Sequence, residues 1–91
     1  MFYGKNNRSK NDILVYVVIC LLIDGYIDPT DIENKFNLSS LTMYRYMSLI
    51  KTIVYDFEFY YVDIYYDRRN RVYRCTINTD YMGNNLSTDR F

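Results

Sequence analysis

The run ILVYVVICLLI at positions 13–23 is apolar on every face and is followed at once by DGYID. Its β-branched residues suit a buried strand, and an unbroken apolar run has no period that separates strand from helix. Eleven residues is long for a strand, so the run predicts a helix over 12–24, ended by Gly25 as its left-handed residue. A helix apolar all round must be covered on most sides. In a chain of 91 residues, that requirement points to a partner subunit.

Tyr26 and Ile27 form a candidate for a very short strand. DPTDIENKF then carries a helix start, with Asp28 as N-cap, Pro29 at the first helical position, and Asp31 and Glu33 in the first turn. Ile32 and Phe36, four apart, put one apolar edge inward. Asn37 tolerates the left-handed turn that follows, Leu38 plugs it, and Ser39 caps the next helix. That helix, 40–55, divides cleanly on a wheel. Met43, Tyr46, Met47, Leu49, Ile50, Ile53 and Val54 fall within an inner arc of roughly 160°. Ser40, Leu41, Tyr44, Arg45, Ser48, Lys51, Thr52 and Tyr55 share an outer arc of roughly 140°.

After Asp56 the pattern changes to aromatic and β-branched residues. EFYYVDIYYD (58–67) and RVYRCTI (71–77) predict two strands, and DRRN between them predicts the turn of a β-hairpin. Val62 and Ile64 would share an inward face with Tyr73, Cys75 or Ile77, depending on register. Residues 1–10 are polar and read as an arm. Residues 11–77 read as one folded domain and residues 78–91 as a tail expected to fray.

Composition narrows the chemistry. Twelve tyrosines and five phenylalanines argue against a disordered chain. There is no histidine, which excludes imidazole ligands and histidine-based triads. Cys20 and Cys75 are read as two buried reduced thiols, too few for a zinc site. No glycine-rich phosphate loop occurs, so neither an enzyme nor a cofactor is expected. Lys5, Arg8 and Lys10 before the apolar run imitate a secretory signal, but no small-residue cleavage site follows. The run is also short of the ~20 apolar residues that span a bilayer. The expectation is a cytoplasmic protein with no membrane partner.

Three helices followed by a hairpin is the order of a winged helix-turn-helix, an α+β fold with a two-stranded wing. DGYIDPTDIENKFNLSSLTMYRYMSLI (24–50) resembles the N-terminal module of DeoR-like bacterial transcriptional regulators. Ile32, Phe36, Leu38, Ser39, Thr42, Met43, Arg45 and Met47 occupy that family's patterned positions, and YDRRNRVYRC (66–75) is similar to its wing. The likeness covers roughly residues 12–77. Tyr46 stands where the family commonly has an aspartate, and the chain leaves no room for the family's large effector domain. The resemblance therefore implies DNA binding without effector sensing.

Net charge is zero, yet its distribution is uneven. Residues 1–10 (Lys5, Arg8, Lys10), 38–55 (Arg45, Lys51) and 68–77 (Arg68, Arg69, Arg71, Arg74) hold nine of the eleven positive charges and no acid. In the implied fold these segments face a duplex. Ser40, Leu41, Tyr44, Arg45 and Ser48 would meet the major groove, with Arg45 the strongest candidate for pairing with guanine. Ser39 would cap the helix, its amide near a phosphate. Lys51 and the wing, Asn70 included, would position the protein on the backbone.

The first expectation is a small sequence-specific DNA-binding regulator acting as a homodimer on double-stranded DNA. The alternative is the same scaffold turned to protein binding, for instance a phage-encoded anti-defence inhibitor of the anti-CRISPR type. Leu41 and Tyr44, uncharged at the tip of the helix, keep that alternative in play.

Overall fold

A computed structural model of the chain describes residues 8–78. Three helices, α1 (Lys10–Asp24), α2 (Pro29–Phe36) and α3 (Ser40–Asp56), pack with three strands, β1 (Tyr26–Ile27), β2 (Val62–Asp67) and β3 (Val72–Ile77). The strands form one antiparallel sheet in the order β1-β3-β2. The expected two-stranded wing is thus part of a three-stranded sheet. Tyr26 and Ile27 pair with Arg74 and Tyr73, and the Cys75 amide donates to the Gly25 carbonyl at 2.8 Å. Lys5 and the tail beyond Asn78 lie outside the described residues.

Each helix begins and ends where its local chemistry places it. Ser9, Asp28 and Ser39 are extended N-caps, whose side chains accept from the amides of Asp12, Thr30 and Thr42. Ser9 moves the start of α1 to Lys10, two residues before the expected boundary, so Lys10 belongs to the helix and not to an arm. Gly25 (φ 83°) ends α1 and Asn37 (φ 56°) ends α2, both left-handed as expected.

The end of α3 departs from expectation. Glu58 takes the left-handed conformation (φ 61°), with Glu58 N–H bonded to the Tyr55 carbonyl and Phe59 N–H to the Val54 carbonyl. That pair of bonds is a Schellman closure, and it uses residues assigned above to a strand. β2 therefore starts at Val62 rather than Glu58.

The core lies between the three helices and one face of the sheet. Ile13, Val17 and Leu21 of α1 meet Ile27, Ile32, Phe36, Met43, Met47, Ile50 and Ile64. Val62↔Ile77, Ile64↔Cys75 and Tyr66↔Tyr73 pair across the hairpin; Val62, Ile64, Tyr73 and Cys75 pack on the core, while Tyr66 and Ile77 at the two ends are exposed. Both cysteines are free and half-buried rather than buried. Burial, followed by Asp63, pushes the Cys75 thiol above its ordinary value.

One side of this core is open. Leu49 and Ile53, placed on the inner arc of α3, are 37% and 43% exposed. Tyr46 is half-buried, with Lys10 Nζ 6.0 Å from its ring centroid. The wheel grouped these residues on one face correctly, but the domain covers only part of that face.

Candidate nucleic-acid interface

The outer arc of α3 is free of the core. Ser40, Leu41, Tyr44, Arg45 and Lys51 are exposed, and Ser48 is half-buried. Leu41 and Tyr44 reach 56% and 61% exposure, high for apolar or aromatic side chains. The first turn of α3 holds no acid, so the positive end of the helix dipole is not neutralised there. Ser39 is committed to the cap. Its Oγ accepts from the Thr42 amide at 3.1 Å and donates to Thr42 Oγ1 at 3.0 Å.

The hairpin turn is organised by one carboxylate. Asp67 accepts from the Asn70 amide (3.2 Å), from Asn70 Nδ2 (2.8 Å) and from Arg74 Nε (2.8 Å). These three donors hold the carboxyl well below its usual range, at about 2; the Arg74 hydrogen bond contributes most. Arg71 is left-handed (φ 58°) and closes the turn through a 2.7 Å bond to the Asp67 carbonyl.

The five wing candidates therefore separate. Arg68, Arg69 and Arg71 are exposed at the tip. Asn70 and Arg74 are engaged by Asp67, and the Arg74 guanidinium also stands 5.9 Å from the Tyr26 ring centroid. Arg74 is a brace of the hairpin rather than a free cation.

Tyr66 and Tyr73 meet edge to face with centroids 5.0 Å apart, one residue short of the tip on each strand. The Tyr73 phenol is raised above its ordinary value, first by burial and then by Tyr66, Tyr44 and Glu33. Tyr44 is exposed on the outer face of α3, and Tyr66 is exposed on the hairpin below the three arginines. Pattern reading placed Tyr73 inward and left Tyr66 among surplus tyrosines. Tyr73 does pack against the core, and the Tyr66↔Tyr73 register sets the exposed Tyr66 ring against it.

Of the arm residues, Arg8 and Lys10 are described. Tyr46, beside Lys10, stands roughly 160° around the helix from Tyr44. Arg8 lies 3.7 Å from Asp12, one turn into α1. Lys10 thus lies by Tyr46 and not on the face of α3 that carries Tyr44.

Among the described residues, no group of three or more histidine, cysteine or acidic side chains is placed to hold a metal ion, and no helix is long and apolar enough to cross a membrane. No family model, curated protein or solved structure matches the chain.

Proposed function

We propose that the chain is a winged helix-turn-helix module that binds double-stranded DNA sequence-specifically and acts as a small transcriptional regulator. In this reading the N-terminal half of α3 enters the major groove and the hairpin tip lies on the phosphate backbone. One observation carries it: α3 presents an exposed face bearing Arg45 and Lys51 with no acid in its first turn, and the hairpin tip bears three exposed arginines. The order helix, short strand, helix, helix, hairpin is also the order that the resemblance to DeoR-like modules implies.

Each residue has a role that follows from its position. Arg45 is the one guanidinium on the reading face and pairs with guanine O6 and N7. Leu41 meets a thymine methyl, while Ser40 and Ser48 offer hydroxyls to base edges or phosphates. Lys51, Arg68, Arg69 and Arg71 neutralise phosphates. Binding to random duplex at low salt, followed as salt rises, tests this reading. No detectable binding at low salt would overturn it.

A second reading rests on Leu41 and Tyr44. Exposed side chains of this type suit the centre of a protein interface, which favours aromatics and is depleted of charge. The scaffold would then be a protein-binding inhibitor of the anti-defence type. A nuclease-treated pull-down distinguishes the two: a partner retained without nucleic acid and lost in Tyr44→Ala supports the second reading.

A further inference from the structure

We infer that the chain forms a two-fold homodimer through the open side of its core, with the exposed ridge of α1 of each copy seated in the apolar groove of the other. The groove has a volume of about 660 Å³ and runs between α1, the C-terminal half of α3, and the base of the hairpin. Val15, Ile19 and Leu22 form one wall, Leu49 and Ile53 the other, and Ile77 lies at the end of the floor. All six are exposed in the single chain.

Three features select a second copy as the occupant. First, the patch holds both a ridge and a groove. Turn after turn of α1 presents Val15, Ile19, Leu22 and Ile23 outward, beside a trough of matching chemistry. A face that is both knob and hole satisfies itself under a two-fold axis.

Second, its size is that of a dimer interface. The exposed parts of the six side chains amount to about 500 Å², and a homodimer interface of ~800 Å² per partner that is ~65% apolar presents nearly the same. A patch of this size is at the upper range of what monomers leave in water.

Third, the groove is lined by no Asp, Glu, Lys or Arg. A two-fold axis brings like residues near one another, so a charged patch would repel its own copy, and this one does not. The interface uses the C-terminal half of α3, whereas Leu41 and Tyr44 lie in its first two turns. It stands whether or not the reading face binds DNA.

Sedimentation of the full chain across a range from about 1 to 100 μM, and of Ile19→Asp and Leu22→Glu, tests the proposal. The wild type is expected to sediment as a dimer at micromolar concentration. Each variant should dissociate at least tenfold more readily and keep the wild-type circular-dichroism spectrum. Hydrogen exchange should then show 15–22 and 49–54 protected in the wild type and deprotected on dilution. A wild-type chain that stays monomeric at the highest concentration would overturn the proposal. So would a dimer that both folded variants retain. A monomer that gains hydrophobic-dye binding when residues 79–91 are deleted would overturn it too, assigning the groove to that segment.

Discussion

Arg74 Nε donates to Asp67 Oδ2 at 2.8 Å across the diagonal of the hairpin, and Asn70 closes on the same carboxylate from the turn. The Asp67 carboxyl sits at about 2, against an ordinary 3.8. A carboxylate with a depressed folded value adds stability that is fully present above the unfolded value. That contribution is lost as pH falls through the folded one. Denaturant unfolding of the wild type and Asp67→Ala should therefore differ by a constant gap above about pH 5, with the gap closing between about pH 4 and 2. A gap unchanged at pH 2 would mean that the carboxylate's charge is not what holds the turn.

Glu58 ends α3 in the left-handed conformation at φ 61°. A side chain with a Cβ is strained there, whereas glycine is not, although glycine loses more chain entropy on folding. Glu58→Gly should stabilise the protein by roughly 0.5–1 kcal/mol in chemical denaturation. Asn37→Gly should gain less, because asparagine already tolerates the same geometry at φ 56°.

These two ends of helices show what the chain discloses and what it hides. The caps at Asp28 and Ser39, and the left-handed turns at Gly25 and Asn37, depend on chemistry within a few residues of one another, so they were legible. Glu58 gave no such signal, since nothing in its side chain favours positive φ. The closure there joins Phe59 N–H to the Val54 carbonyl, and both side chains line the groove. The wheel of α3 likewise showed which residues share a face but not how far the rest of the molecule reaches across it. Leu49 and Ile53 are uncovered for that tertiary reason. Arg74 read as a free wing cation because its partner, Asp67, becomes its neighbour only once the register is known.

Ser39 separates folding from recognition. Its hydroxyl caps α3, so Ser39→Ala should cost about 1 kcal/mol of stability. Ser39→Asp keeps a capping oxygen and suits the helix dipole, so stability should be retained. In the DNA-binding reading the added negative charge faces a phosphate and weakens every duplex alike. Thermal unfolding and duplex binding of the two variants separate these effects, and an Asp variant with undiminished DNA affinity would move the backbone away from this helix end.

The arginines divide by role, and three substitutions resolve them. In the DNA-binding reading, with Arg74 engaged by Asp67, the exposed Lys51, Arg68, Arg69 and Arg71 would meet phosphates. Four such contacts give a log–log salt slope of about −3.6. Arg69→Ala should weaken all sequences and reduce that slope by about 1, since one fewer counterion is released. Arg45→Ala should leave most non-specific affinity in place but remove ~1–3 kcal/mol of discrimination at one guanine. Its selection from a random duplex library would lose that position. Arg74→Ala should lower stability by loosening the hairpin while leaving the slope of the folded protein unchanged. If Arg74→Ala alters the slope as Arg69→Ala does, the Asp67 bond is exchanged for a phosphate on binding, and the hairpin rearranges when it meets DNA.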